Sequence, residues 1–387
     1  MNSPRPVANL SLAADDRIPL FDLQRQRARL ETDIKARMDA VLAHGQFILG
    51  PEVDLFESQL ASFAGVDHAI AVSSGRDALM IALMAMGVKS GDAVFVPAFT
   101  FAATAGAVVS IGATPVFVDV EESTFNMDPV DLERAIEEVS AKGDLVPRVV
   151  MPVDLYGLPA DYPAIGKVAE KHGLTVLADS AQSFGGSIGN SRVGALAPIS
   201  ATSFYPTKPL GCYGDGGAIL AEDADLANAV RMIRSHGRGG TGDAAEVLGL
   251  TGRLDTLQAA VLISKLDVFA EELARRKEIA SRYEEALNSV VNTPRIPDGY
   301  GSAFALYTIR VADRDDVRAR LDDKGIGTGL FYRFALHHHP AFRDYVGRAL
   351  PTSEKLAEDV LSLPLHADLR DDEVERVILA VKESIIA

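Results

Sequence analysis

The sequence holds one cysteine, no long apolar run, and too few cations to balance its acids. A single cysteine, Cys212, excludes an intrachain disulfide and suits a reducing cytoplasm. No apolar stretch approaches the roughly 20 residues of a membrane helix, so no membrane partner is expected. Residues 1–16 are polar, carry prolines and lack the apolar core of a signal peptide; they read as a loose tail. Against 54 Asp and Glu stand 38 Lys and Arg, a net charge of −16. That balance argues against nucleic acid and anionic membranes as partners. It leaves room for a small anionic ligand, provided arginines and backbone N–H groups supply local positive potential.

The chain is long, 387 residues, with ordinary hydrophobic (48%) and charged (24%) content. This suits one large domain with a smaller one attached. The expected division is a tail at 1–16, a large domain at 17–270, and a linking helix with a small domain at 271–387. Strand-like apolar runs near 68–72, 93–97, 114–118, 148–153 and 174–179 alternate with helical periodicity near 25–43, 53–63, 78–86, 102–110 and 128–139. Alternation of this kind predicts an α/β fold with a doubly wound, mainly parallel sheet. A charged helix near 255–287 follows, whose Glu271–Glu272 and Arg275–Arg276 pairs read as a solvated i,i+4 face.

The chemistry concentrates in Ser203–Phe204–Tyr205–Pro206–Thr207–Lys208–Pro209–Leu210–Gly211–Cys212–Tyr213–Gly214–Asp215–Gly216–Gly217. Two prolines exclude a helix there. Glycines allow close backbone approach. A lysine held on such rigid backbone differs from a solvated one, and a desolvated amine forms Schiff bases with carbonyl compounds, as pyridoxal phosphate enzymes require. Two further features agree. Ser73–Ser74–Gly75–Arg76–Asp77 lies between a strand and a helix, where free N–H groups and the helix dipole favour an anion. The 174–179 strand ends in Asp179, at the strand end where parallel-sheet ligands sit. Asp179 is therefore placed to meet a pyridinium nitrogen or to cap the next segment. Cys212 reads as a small filler beside the lysine turn, with a nucleophile as the rarer alternative.

The Ser203–Gly217 run resembles the cofactor-lysine motif of the DegT–StrS family of sugar aminotransferases, through Ser203, Phe204, Lys208, Leu210, Gly214, Gly216 and Gly217. The resemblance spans about 18–385. It implies the fold-type I pyridoxal phosphate architecture: a mainly parallel seven-stranded sheet with helices on both faces, plus a small C-terminal α/β domain. It implies pyridoxal 5′-phosphate on Lys208, with Phe101 against the ring, Asp179 at the ring nitrogen, Gln182 beside the phenolic oxygen, and Ser203 at the phosphate together with Ser74 and Gly75. Arg76 stands where the family usually has threonine, and either reaches the phosphate as a cation or faces solvent. Thr251 takes the place of an asparagine that reaches the neighbouring subunit's cofactor. Arg253, Phe331, Tyr332 and His337 are the implied substrate contacts, with Arg253 serving the other subunit of a homodimer with shared sites. The implied reaction moves an amino group from L-glutamate to a keto-sugar, usually nucleotide-linked (UDP or dTDP), with a 3-keto sugar as first choice. Another keto-sugar or a keto-cyclitol, and a non-catalytic regulator, are the alternatives. His337–His338–His339 invites a metal reading, but adjacent residues are expected to point apart, so no metal is expected.

Overall fold

The computed structural model describes residues 17–239, 244–345 and 347–386. The tail expected at 1–16 lies outside them, as do residues 240–243, 346 and 387. Seven strands form the central sheet: β1 (His68–Val72), β2 (Asp92–Pro97), β3 (Thr114–Val118), β4 (Val146–Val150), β5 (Thr175–Asp179), β6 (Ile199–Ser203) and β7 (Gly217–Ala221). Their spatial order is β1-β7-β6-β5-β4-β2-β3. The pairs β3–β2, β2–β4, β4–β5 and β5–β6 are parallel, whereas β7 runs antiparallel to both β6 and β1. The sheet is thus mainly parallel, as the alternating pattern predicts.

Side-chain alternation sends Ile70, Val72, Val94 and Val96 to one face, under α3 (Gly75–Ala85), α4 (Ala102–Ser110) and α7 (Ala224–Arg234). Ala93, Phe95, Val150 and Val176 face the other way, under α5 (Pro129–Lys142) and α6 (Tyr162–His172). Ala69, Ala71, Ala218 and Leu220 pack on that same side against α2 (Pro51–Ala64) and the start of α8 (Thr256–Leu287). A sheet covered on both faces explains strands that are apolar throughout instead of alternating. α1 (Leu23–His44) lies along α8, with Leu30 and Ile34 against Val261.

The long α8 continues into a second core. There Ile279, Tyr283 and Leu287 pack with β8 (Tyr307–Arg310), α9 (Arg314–Asp323), β9 (Val360–Leu363) and α11 (Asp371–Ile386). α10 (Pro351–Asp359) precedes β9.

Three differences from the sequence reading have physical causes. The strand expected at 148–153 ends at Val150, because Pro152 has no N–H to give a ladder. Helix α6 forms in a stretch the sequence reading left unassigned; Asp161 caps it at the Ala164 N–H (3.1 Å), and Ile165 and Ala169 face inward one turn apart. The supposedly solvated face of α8 is partly buried. Both carboxylate oxygens of Glu272 accept from Nε2 of Gln26 (3.0 and 2.9 Å), and Arg276 donates to the carbonyls of Phe304 (3.0 Å) and Leu365 (3.3 Å). Charge spacing alone did not reveal that α1 and the 365–368 segment cover these residues.

Candidate active site

Asp179 ends β5, near the middle of the sheet, so its carboxylate opens at the crevice beyond the parallel strand ends. It is buried. Its Oδ2 accepts from the Thr104 hydroxyl (2.8 Å) on α4, and its Oδ1 accepts from the Ala181 N–H (3.3 Å). Burial pushes its pKa above the usual carboxylate value, and those two donors and the charge of Lys208 pull against that rise.

Lys208 lies in the turn between β6 and β7. Its N–H bonds the Tyr205 carbonyl (2.8 Å), and Gly211 lets the chain fold back on itself, since a Cβ there would meet the Pro206 carbonyl at 2.5 Å. Among the described residues, the half-buried Lys208 side chain has no hydrogen bond or ion pair. Desolvation lowers its pKa to about 8, opposed by the Asp179 carboxylate. A lysine left without a partner in this way, facing a buried carboxylate, is poised as a nucleophile and base near neutral pH.

Behind Lys208 the backbone closes into a cradle. A Cβ on Gly75 would fall 2.5 Å from Cβ of Ser203, and one on Gly217 would fall 2.5 Å from the Ser74 carbonyl. Ser74 caps α3 through the Asp77 N–H (3.0 Å), which leaves the first N–H groups of that helix free of capping. The α3 N-terminus and the Ser203 hydroxyl thus meet where an anionic group is stabilised. Arg76 is exposed, in keeping with the solvent-facing alternative, and its guanidinium lies along α4, donating to the Ser110 hydroxyl (2.6 Å) and the Gly106 carbonyl (3.4 Å).

Gln182 has a fixed orientation. Its Oε1 accepts from the Tyr156 N–H (2.9 Å), and its Nε2 donates to the Tyr332 hydroxyl (3.2 Å). The Tyr156 hydroxyl donates to the Phe331 carbonyl. Phe101 is 57% exposed at the start of α4, with its ring 6.0 Å from that of Tyr332. Phe101, Asp179, Gln182, Phe331 and Tyr332 therefore converge. An exposed aromatic beside a buried carboxylate and a free lysine fits a flat ring between them.

The remaining predicted residues lie elsewhere. Gly252 accepts from the Ser73 N–H (3.0 Å), so 251–253 runs beside the end of β1. The exposed Thr251 hydroxyl lies 3.3 Å from Nε2 of His236. Arg253 lines a cavity of about 500 Å³ with Leu49, Arg231, His236 and Arg238, and neither Lys208 nor Asp179 borders it. His337 is buried against Phe117 of β3, three strands from β5 or about 14 Å across the sheet, and its Nε2 lies 3.0 Å from Glu354. It is not brought together with Lys208. Nor do the adjacent histidines point apart: Nε2 of His338 also approaches Glu354, at 3.6 Å. The turn Leu336–His338 curls tightly enough to bring the two rings to the same side, which adjacency alone had seemed to forbid.

Sequence reasoning missed three contributors. Thr104 is one: a threonine two residues into an alanine-rich helix gave no signal of its partner. Asp154 is another. It is fully buried and accepts from the Ala160 N–H and the hydroxyls of Tyr162, Ser180 and Ser183, pinning the chain on both sides of Asp179. Burial raises its pKa to about 6. The third, Tyr156, sits at φ 59, and the Tyr-Gly pair was the available hint. Cys212 is buried, donates to the carbonyls of Phe204 (3.0 Å) and Gly214 (3.1 Å), and has its thiol pushed up to about 11, which suits a filler and not a nucleophile.

Residues 28–382 match the model of the DegT/DnrJ/EryC1/StrS aminotransferase family. The chain belongs to this family. It is 43% identical over 365 residues to a UDP-2-acetamido-2-deoxy-3-oxo-D-glucuronate aminotransferase of Pseudomonas aeruginosa, an alignment covering 94% of this chain and 99% of the relative. A DegT/DnrJ/EryC1/StrS aminotransferase from Brucella abortus superposes with a TM-score of 0.93 at 44% identity, covering 95% of this chain and 99% of that one. A Bacillus subtilis relative, NtdA, solved with bound cofactor PMP, superposes with a TM-score of 0.88 at 30% identity, covering 96% and 86%. As a member of this aminotransferase family, the protein is a pyridoxal phosphate-dependent sugar aminotransferase with the fold-type I architecture. Among the described residues no helix is long and apolar enough to cross a membrane.

Proposed function

We propose that this aminotransferase moves the amino group of L-glutamate to a UDP-linked 3-keto sugar, in the cytoplasm, as a homodimer whose sites are shared. The observation that carries the chemistry is the free Lys208 amine, lowered to about 8, opposite the buried Asp179 carboxylate. Pyridoxal phosphate, when bound, supplies a carbonyl that captures amines and a ring that withdraws electrons from the donor carbon. Lys208 would hold that carbonyl carbon, Asp179 the ring nitrogen, Gln182 the phenolic oxygen, Phe101 a ring face, and Ser74, Gly75 and Ser203 the phosphate. Lys208 Nζ would be the general acid/base that carries a proton between Cα of the donor and the cofactor's former carbonyl carbon, and in the opposite sense for the sugar. Thr104 holds the Asp179 carboxylate in place, and the Gln182–Tyr332 bond ties the small domain to the site.

The UDP-linked, 3-keto choice rests on the 43% identity to the Pseudomonas aeruginosa enzyme. Arg253 supports the shared site: its side chain lines a cavity that its own Lys208 does not border, with two further arginines and, among the described residues, no acid. An arginine fork suits a carboxylate or phosphate there. A non-catalytic regulator would have no use for both Lys208 and Asp179.

The test is borohydride reduction of cofactor-loaded protein, followed by peptide mapping and a mass-spectrometric screen of nucleotide-linked keto-sugars with glutamate. A phosphopyridoxyl group on Lys208 and glutamate-dependent gain of an amine on a UDP-linked 3-keto sugar are expected. A label on another lysine would overturn the mechanism. Amination confined to dTDP-linked sugars or to a cyclitol would overturn the substrate.

A further inference from the structure

Away from the active site, three metal-ligating side chains from two elements meet on one face. His337 and His338 share the turn Leu336–His338, and Glu354 stands in the first turn of α10. Nε2 of His337 and Nε2 of His338 lie 3.0 and 3.6 Å from the same Glu354 oxygen, and all three ligand atoms lie within 4.8 Å of one another.

We propose that His337, His338 and Glu354 form a site for a divalent transition-metal ion, with water completing its shell. Arms of 2.0–2.2 Å to imidazole nitrogen and carboxylate oxygen, set tetrahedrally, give ligand–ligand edges of about 3.4 Å. The observed 3.0 and 3.6 Å bracket that edge. Two imidazoles and one carboxylate are a borderline donor set that favours zinc and its neighbours over calcium or magnesium. The site is half prepared: the His337 ring is held by burial against Phe117, while His338 and Glu354 are open to solvent for ion entry. Nδ1 of His337 is buried and has no hydrogen-bond partner among the described residues, so no acceptor there sets the tautomer, and affinity stays below that of a fully supported zinc site.

A second trio, Glu133, Glu137 and His172, has two carboxylates and one imidazole, and it differs in a further respect. Lys171 already donates to Glu133 at 2.5 Å, so a cation is in place there. Among the described residues, no lysine or arginine pairs with Glu354.

The ion would fasten two elements. The turn Leu336–His338 follows Phe331 and Tyr332, and its Leu336 N–H bonds the Ala98 carbonyl (2.7 Å) near Phe101. Joining it to α10 stabilises the folded chain without entering the chemistry.

The test is equilibrium dialysis of the chelator-stripped, cofactor-loaded full chain against zinc, with metal analysis and thermal melting. One zinc per chain and a raised melting temperature are expected. His338→Ala and Glu354→Gln, both at solvent-exposed groups, should each weaken zinc binding more than tenfold and abolish the thermal shift, with transamination unchanged. His339→Ala should bind as the parent does, because that ring packs toward Phe334 and Phe342. Undiminished zinc in both ligand variants, loss of zinc in His339→Ala, or no zinc bound by the parent would each overturn the site.

Discussion

Replacing Asp179 by asparagine separates the charge of this residue from its shape. The native carboxylate is buried and accepts two hydrogen bonds, from Thr104 (2.8 Å) and the Ala181 N–H (3.3 Å). The asparagine oxygen keeps the second, and the Thr104 hydroxyl can turn to accept from the new amide. Bonds to a neutral group are roughly half as strong as those to a charged one. Removing a buried charge, however, also removes its desolvation penalty. The net change in stability is therefore expected within about 1–2 kcal/mol, a few degrees of Tm at most. Function responds differently. Asp179 is the charged group that opposes the lowering of the Lys208 pKa, so its loss lets that pKa fall further below about 8. With the cofactor placed as proposed, its ring nitrogen would lose the partner that keeps it protonated, and turnover is expected to fall about 10²-fold or more, near 3 kcal/mol. The assay pairs kcat for glutamate with the pH profile of Lys208 labelling in cofactor-free protein. Near-normal turnover, or an unshifted labelling midpoint, would refute the reasoning.

In the parent protein the same labelling should rise through a midpoint near pH 8 and level off above it; a midpoint near the ordinary 10.5 would show Lys208 to be solvated. Its folded pKa is depressed, so the unfolded chain binds more protons between pH 8 and 10.5, and the contribution of Lys208 to stability rises across that window. Thr104→Val removes a hydrogen bond to a buried carboxylate, and kcat should fall about tenfold, or roughly 1.4 kcal/mol; unchanged kcat would leave Thr104 without a role at Asp179. Lys208→Ala and Arg253→Ala, each expected to be inactive alone, should regain activity when unfolded and refolded together, because in the proposed dimer with shared sites a mixed pair would carry one intact site. No recovery would assign Arg253 to its own chain's site.

The sequence by itself determined the sheet and the lysine. Apolar strands bounded by turns and separated by helical periods admit few arrangements, and burial on both faces demands that the strands be apolar throughout. Lys208 was legible because its chemistry is local: two prolines and the glycines after it fix the backbone without help from elsewhere. Asp179 was legible for the same reason, as the last residue of a buried strand. What only the tertiary structure decided are pairings between distant segments. Thr104 meets Asp179 across 75 positions and Tyr332 meets Gln182 across 150, and no local pattern encodes either contact. The same holds for Glu272 and Arg276, whose helical spacing describes a solvated stripe until α1 and the 365–368 segment cover it. The histidine run shows how local inference fails. Neighbours in an extended chain diverge, but a tight turn and a carboxylate from α10 turn His337 and His338 toward one point, and that point lies about 14 Å across the sheet from the strand that carries Asp179.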